Sequence, residues 1–324
     1  LGGLARRTGC KVLLAQTACS NYDEYPLLAP YLAGTEASGL FEARLGAEEM
    51  PGKEVHVFCA AYRADEMDEL LRYADHIVFN SPAQLAKFGP AAKAAGKSVG
   101  LRINPECSTQ DGHAIYDPCA PGSRLGTTRA QWDAAAAENS ALPGLLDGLH
   151  FHTLCEQDAD ALAVTLDAVA EKFGDLLPKM KWLNFGGGHH ITRPGDDMAS
   201  LDKCIRRARN DWGGTVYLDP GEACALNAGY LLTRVLDVVQ NGDTTVAILD
   251  ASAACHTPDV IEMPYRPPLL GAGEPGEKPC TVRLAGPTCL AGDVIRAYSI
   301  YSVPAVGDLL VFGDMANNTS SKNY

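Results

Sequence analysis

The sequence lacks any apolar run of about 18 residues, the length that a helix needs to cross a bilayer. Its opening segment, LGGLARRTGC, is not a hydrophobic signal segment, and no block of lysine and arginine is sustained anywhere. The net charge of −13 argues against a nucleic-acid or anionic-membrane surface and favours attraction of a cationic ligand. These features predict a soluble cytoplasmic protein that binds neither nucleic acid nor membranes.

Paired CxxC spacing is also absent, although the chain has 11 cysteines. An odd number of scattered cysteines in 324 residues favours reduced, separately buried thiols over a disulfide framework. The start at Leu1 lies within a helix-like segment, and Tyr324 closely follows a strand-like run. We therefore expect a short N-terminal segment and a C-terminal tail to be missing.

Short apolar, β-branched runs alternate with helical patterns such as SPAQLAKFGPAAKAAG and DADALAVTLDAVAEKFG, which is typical of parallel βα units. This alternation predicts a TIM-type (β/α)8 barrel over residues 1–228, with its active site at the C-terminal ends of the strands. The predicted strands are Lys11–Thr17, Glu36–Phe41, Glu54–Ala60, His76–Asn80, Ser98–Asn104, Leu145–His152, Trp182–Gly188 and Thr215–Gly221. Beyond Gly229, the runs TVAILDA, CTVRLAG, IRAYSIYSV and DLLVFGD predict a smaller β-sandwich or β-barrel domain over residues 229–324.

The sixth predicted strand ends in LHFHTLCEQ, so His150 and His152 lie on one face. Three interpretations are open: metal ligation, a packing role, or stacking of His152 on a flat cofactor. A metal-dependent hydrolase would use these two residues together with His189.

Two further strand ends carry polar or glycine-rich motifs. In NFGGGHH, the glycines Gly186, Gly187 and Gly188 allow backbone N–H groups to approach a phosphate, although a triple glycine is also common in a simple turn. In LDPGEA, Asp219 could hold a pyridinium nitrogen protonated, or it could cap the next helix.

The second domain has polar clusters that could bind the ammonium groups of a polyamine, although solvated loops contain such residues routinely. They are Asp250, His256 and Asp259 in DASAACHTPDVIEMPYRPP, and Cys289 and Asp293 in GPTCLAGDVI.

Together the strings FHTLCEQ, NFGGGHHITRPG, DPGEA, PCAPGSRLG and GPTCLAGDVI resemble the carboxynorspermidine/carboxyspermidine decarboxylase family. That family belongs to the alanine-racemase-like barrel class, which also includes ornithine decarboxylase. The resemblance implies pyridoxal 5'-phosphate as cofactor, a polyamine precursor as substrate, and a homodimer in which the partner's β domain completes each active site.

Roles for individual residues follow from this resemblance alone. His152 would stack on the pyridoxal ring, Gly186, Gly187 and Gly188 would hold its phosphate, and Asp219 would pair with its nitrogen. Further positions match cofactor-binding, proton-donating and substrate-binding residues: Arg102, Glu222 and Asn318 for the cofactor, Cys289 as a proton donor across the dimer, and His256, Asp259 and Asp293 for the substrate.

The chain departs from the family pattern at the cofactor lysine, because Thr17 in LLAQTAC stands where the family has lysine. Without this amine the cofactor cannot form its internal Schiff base, so we expect its binding to be non-covalent at best. Lys11 cannot replace it, since the two positions are about 20 Å apart along the strand. Two more departures are Asp219 for the family's glutamate and Asn318 for its tyrosine.

Two main hypotheses follow from the sequence. The first is a decarboxylase of carboxynorspermidine or carboxyspermidine, and the second is a catalytically silent homologue that acts as a binding or partner subunit. The two candidate substrates differ by one methylene.

Overall fold

The computed structural model describes residues 1–110, 117–262 and 264–317. The chain divides into two compact units, Leu1–Cys224 and Ala225–Tyr324, so the division lies a few residues before the predicted boundary. Among the described residues, no helix combines the length and the apolar character that a membrane crossing requires.

The first unit is a closed barrel of eight parallel strands in sequential order. Pairing of Lys11 with Tyr217, between the first and last strands, closes the ring. The predicted barrel fold is thus confirmed. The strands are β1 (Lys11–Ala15), β2 (Gly34–Ala37), β3 (Glu54–Phe58), β4 (His76–Phe79), β5 (Ser98–Arg102), β6 (Gly148–His150), β7 (Trp182–Asn184) and β8 (Thr215–Leu218).

Helices with identifiable start signals separate these strands. The Ser81 hydroxyl accepts a hydrogen bond from Gln84 N–H at the start of the fifth helix, and Thr128 forms a capping box with Gln131 at the start of the sixth. The helices are α1 (Gly2–Thr8), α2 (Tyr25–Leu28), α3 (Leu40–Glu49), α4 (Met67–Tyr73), α5 (Pro82–Ala94), α6 (Arg129–Glu138), α7 (Leu142–Leu145), α8 (Ala159–Phe173), α9 (Met198–Trp212) and α10 (Glu222–Ala225).

The predicted bounds of the second strand are wrong. The strand is Gly34–Ala37, and Leu40 and Phe41 already belong to α3. Gly34 lies so close to the next strand that an added Cβ would be 1.8 Å from the Glu54 carbonyl oxygen. The strand pairing at this position therefore requires a glycine. The other predicted strands extend past the observed ones into the loops at the barrel mouth, and the sixth also begins too early, because Leu145 belongs to α7.

Small and large residues alternate within the barrel so that the interior is filled. The Trp182 ring occupies the space beside Gly100 and Gly148, where an added Cβ would lie 2.3 and 2.0 Å from ring atoms. Leu13, Val78, Trp182 and Tyr217 form one buried cluster. The barrel interior is consequently a packed core, and the residues that could contact a ligand lie at the ends of the barrel.

The second unit contains one five-stranded mixed sheet in the order β12-β11-β10-β9-β13, which refines the predicted smaller β domain. Its strands are β9 (Tyr230–Asn241), β10 (Thr244–Leu249), β11 (Cys280–Ala285), β12 (Val294–Ile300) and β13 (Leu309–Gly313), with short helices α11 (Ala253–His256) and α12 (Asp259–Glu262). The longest of them, β9, was not predicted from the sequence. The core of the second unit includes Val235, Val282, Tyr298 and Phe312.

Candidate active site

Asp219 and Asn184 form the centre of the polar cluster at the C-terminal ends of the barrel strands. Asn184 is the last residue of β7, and Asp219 directly follows β8. The Asn184 side-chain amide donates to both carboxylate oxygens of Asp219, at 2.9 and 2.8 Å. Both side chains are buried. Asp219 is therefore oriented by a neutral donor, and this contact does not neutralise a negative charge on the carboxylate.

The electrostatic surroundings of Asp219 are unfavourable for a lone carboxylate. Burial raises its pKa, against the opposing effect of the Asn184 hydrogen bond. Glu36, at the end of β2, has a raised pKa because it is buried and because Asp219 and Glu42 lie near it. The His150 ring nitrogen Nε2 is 3.8 Å from the Asp219 carboxylate, but burial holds the pKa of His150 well below its ordinary value. A cation placed against Asp219 would relieve this accumulation of acidic groups.

His152 is a neutral imidazole beside these residues. Burial, followed by the charge of Arg102, lowers its pKa to about 3. The Gly187 N–H points to His152 Nδ1 at 3.5 Å, and the buried Arg102 guanidinium donates to the His152 carbonyl at 3.1 Å. A neutral ring fixed by both neighbours is well suited to stack on a flat aromatic ligand.

The three glycines of the seventh strand end are required by their surroundings. A Cβ added to Gly186 would lie 2.6 Å from the Phe151 carbonyl oxygen. A Cβ added to Gly187 would lie 2.5 Å from the Asp219 carbonyl oxygen, and one added to Gly188 would lie 2.2 Å from the Leu154 carbonyl oxygen. Gly186 and Gly188 also have positive φ angles of 71° and 81°. The Gly186 N–H already donates to the Asn184 side chain and the Gly187 N–H is directed at His152, so a phosphate bound here would draw the Gly187 N–H from His152 and add the Gly188 N–H.

Thr17 follows β1 and lies in a hydrogen-bonded group of its own. Its hydroxyl is 2.6 Å from the Ser38 hydroxyl and 3.1 and 3.2 Å from the two carboxylate oxygens of Glu42. The Ser38 N–H donates to the same carboxylate at 2.7 Å. Burial raises the pKa of Glu42 despite these hydrogen bonds. The position thus presents a hydroxyl and an acidic partner, and it offers no amine.

Glu222 is tied to an arginine of the NFGGGHHITRPG motif. One guanidinium nitrogen of Arg193 contacts Glu222 and Glu156, each at 2.8 Å. A carboxylate repels phosphate, whereas a guanidinium binds it in a defined geometry. In this arrangement Glu222 holds Arg193 in place, and Arg193 is the group of the pair that could meet an anion.

Within the second unit, Asp293 and Ser252 are brought together. Asp293 accepts hydrogen bonds from Ala253 N–H at 2.7 Å, the Ser252 hydroxyl at 3.1 Å and the Thr288 hydroxyl at 2.7 Å. Although burial opposes it, these donors hold the pKa of Asp293 below its ordinary value. His256 Nδ1 accepts from Ser252 N–H at 3.0 Å.

The remaining predicted positions have these locations. Cys289 is exposed, Asp259 begins α12, and Asp250 accepts hydrogen bonds from Thr233 and Arg234. Asn318 lies outside the described residues.

The metal-hydrolase alternative requires His150, His152 and His189 to converge. Two groups of three metal-ligating side chains lie within 4.8 Å of one another among the described residues, and neither contains these histidines. That hypothesis has no geometric support in the part of the chain that the structure describes.

The sequence analysis missed several residues of the site. Asn184 stands two positions before Gly186 in a motif already recognised, so period-two alternation could have placed it at the strand end. Glu36, Glu42 and Ser38 meet Thr17 or Asp219 only through the closure of the barrel, and no local motif marks them.

Comparison with known proteins places these features in a class. Residues 20–316 match the family described as "Pyridoxal-dependent decarboxylase, C-terminal sheet domain". The barrel and sheet therefore define a pyridoxal-dependent decarboxylase fold.

Similar proteins narrow this class. The chain is 39% identical over its full length to a carboxynorspermidine/carboxyspermidine decarboxylase of Campylobacter jejuni, of which it covers 85%. It is 40% identical over 96% of its length to a carboxyaminopropylagmatine decarboxylase of Synechocystis, of which it covers 79%. A crystal structure of C. jejuni carboxynorspermidine decarboxylase with norspermidine superimposes with a TM-score of 0.87 at 37% identity, covering 100% of this chain and 85% of that one. The chain belongs to the carboxynorspermidine/carboxyspermidine decarboxylase family.

Proposed function

We propose that this protein catalyses pyridoxal-phosphate-dependent decarboxylation of a carboxylated polyamine, carboxynorspermidine or carboxyspermidine, to norspermidine or spermidine. The observation that carries the proposal is the full-length 39% identity to a decarboxylase of these substrates. The buried Asp219, together with His152 and the glycine turn at the barrel mouth, supports it. The acidic net charge of −13 favours a cationic substrate.

The residues present fit the ring and the phosphate of the cofactor. Asp219 would hold the ring nitrogen, His152 would cover one ring face, and the turn at Gly187 and Gly188 would bind the phosphate together with Arg193. Pyridoxal phosphate, when bound, supplies an electron sink for the electron pair left behind as CO2 departs. Arg102 keeps the His152 backbone in place, so that the imidazole stays beside the ring position.

The residues present do not fit the covalent anchor of the cofactor. Thr17 presents a hydroxyl that is engaged with Ser38 and Glu42, and a hydroxyl forms no stable bond to an aldehyde comparable with that of a lysine amine. We propose that the cofactor binds non-covalently. Activity is then expected to be low, because residue 17 would supply no amine to hold the cofactor or to exchange with the substrate amine.

The experiment that tests the function is a CO2-release assay with added pyridoxal phosphate. Carboxynorspermidine, carboxyspermidine and carboxyaminopropylagmatine would be compared, since relatives of nearly equal identity are named for different substrates. CO2 release from the first two, above that of a buffer blank with cofactor, supports the proposal. Release from none of them, by protein that binds the cofactor, contradicts it.

A second candidate is a catalytically silent homologue that binds a polyamine or pairs with an active relative. The hydrogen bonds of the Thr17 hydroxyl to Ser38 and Glu42 favour this second candidate. They hold a neutral hydroxyl at the position where the family resemblance implies a lysine. Norspermidine binding without CO2 release, measured by calorimetry, distinguishes this candidate from the first.

The proposal includes a cytoplasmic homodimer, on the family resemblance. The partner's β domain would contribute Cys289 as a proton donor and Asp293, His256 and Asp259 as substrate-binding residues. Light scattering of the purified protein gives the oligomeric state directly. A monomer at micromolar concentration would contradict the shared active site.

A further inference from the structure

The N-terminal end of the barrel, opposite the cofactor end, contains a second group of polar side chains. Glu54 and His56 are two positions apart on β3, so their side chains lie on the same face of the strand, and His76 starts β4. His56 pairs directly with His76 in the parallel register of these strands. The sequence therefore places Glu-x-His on one strand opposite a histidine on the next.

These three side chains have the spacing of metal ligands. One carboxylate oxygen and one ring nitrogen from each histidine all lie within 4.8 Å of one another. The two imidazoles stack with centroids 3.9 Å apart and an interplanar angle of 10°. Each imidazole binds a metal through a lone pair in its own ring plane, so the two stacked rings must turn out of their parallel arrangement to reach a common ion at about 2.1 Å.

Both histidines have coordination capacity that the protein does not use. His56 is 1% exposed, and its Nε2 contacts Glu54 at 3.0 Å, whereas its Nδ1 has no hydrogen-bond partner among the described residues. The Nδ1 of His76 is likewise buried without such a partner.

We propose that Glu54, His56 and His76 form a divalent transition-metal site of the zinc class at the base of the barrel. Two imidazoles and one carboxylate are a common ligand set for zinc, with water in the fourth position. The Glu54 side chain is 28% exposed, so that water can enter from the bottom of the barrel. The site lies at the end of the barrel that serves stability rather than catalysis, and it would link β3 to β4.

Lys11 competes with the metal for Glu54. Its ammonium forms an ion pair with one carboxylate oxygen, and the Tyr217 hydroxyl donates to the other at 2.9 Å. The Lys11 side chain is 42% exposed and can turn towards water when an ion enters. Removing this positive charge must therefore strengthen metal binding. If the three side chains formed only a structural hydrogen-bonded cluster, no such effect would be expected.

The test is titration of the untagged full chain with Co²⁺, followed by visible absorption, and with Zn²⁺, followed by calorimetry. We expect one equivalent of Co²⁺ with a tetrahedral ligand-field band that Zn²⁺ displaces. His76→Gln abolishes this band. His190→Gln is the matched control and keeps it, because His190 belongs to the other group of potential ligands, with Glu156 and Glu222.

Lys11→Met keeps all three ligands and is expected to bind Co²⁺ about ten-fold more tightly. The Co²⁺ titration of Lys11→Met tests the proposed metal site even if His76→Gln does not fold. No saturable band in wild-type protein, a band lost in His190→Gln but kept in His76→Gln, or an affinity that Lys11→Met leaves unchanged or weakens would overturn the proposal.

Discussion

The Asn184 amide lies within hydrogen-bond distance of both carboxylate oxygens of Asp219, at 2.9 and 2.8 Å, in a buried position between the ends of β7 and β8. A neutral donor orients the carboxylate without cancelling its charge. Asp219 is therefore prepared for a cationic partner such as a protonated ring nitrogen.

Replacing Asp219 by Asn keeps the size of the side chain and removes its charge. A hydrogen bond to a charged group contributes about 2 kcal/mol, so we expect pyridoxal phosphate to bind about thirty-fold more weakly. Quenching of tryptophan fluorescence measures the affinity. Asp250→Asn, a carboxylate of the second unit, serves as the control and should retain wild-type affinity; equal affinities in all three proteins would refute the assignment of Asp219.

The neutral state of His152 predicts a dependence of stability on pH. Because burial lowers its pKa to about 3, the unfolded chain binds a proton at this residue between about pH 6.5 and 3 that the folded chain does not. This contribution to stability is fully present above about pH 6.5 and is lost as the pH falls towards 3. His152→Gln should flatten the slope of unfolding free energy between pH 6 and 4 by about 1.4 kcal/mol per pH unit. Urea titrations at several pH values measure it, and parallel slopes would show that His152 is not a buried neutral residue.

Close packing alone requires a glycine at position 187, since a Cβ added to Gly187 would lie 2.5 Å from the Asp219 carbonyl oxygen. We expect Gly187→Ala to lower stability by about 1–3 kcal/mol and to weaken cofactor binding, because the turn must move away from Asp219. Gly144 in α7 has nothing within 4 Å of such an atom, so Gly144→Ala is the matched control and should be neutral or slightly stabilising. Thermal unfolding checks both, and equal melting temperatures would contradict the packing described for the glycine turn.

An added small primary amine should partly replace the lysine that the family resemblance implies at residue 17. Glu42 and the neighbouring Glu36 provide acidic surroundings for an ammonium group at the Thr17 position. We expect methylamine to raise the rate of CO2 release by wild-type protein in a saturable way and to have no such effect on Thr17→Lys. Equal stimulation of both proteins would indicate reaction in solution rather than in the site.

The barrel could be predicted because alternation of strands and helices is a local pattern that repeats along the chain. His152, Asp219 and the glycine turn followed from it, since parallel strands bring their C-terminal ends together. The contact of Thr17 with Glu42 could not be predicted, because it joins a turn after β1 to a helix after β2 and carries no shared motif. The long strand β9 was missed because its exposed face includes Tyr230, Leu232 and Leu236, which obscures the alternation of buried and polar residues.

The most direct test of the Thr17 assignment is borohydride reduction in the presence of pyridoxal phosphate, followed by mass spectrometry of the peptides. We expect no reduced cofactor adduct on a barrel-mouth residue of the wild-type protein, and one adduct on residue 17 of Thr17→Lys. An adduct on any lysine of the wild-type site would contradict non-covalent binding. A folded Thr17→Lys protein that binds the cofactor but forms no adduct would show that residue 17 is not the lysine position.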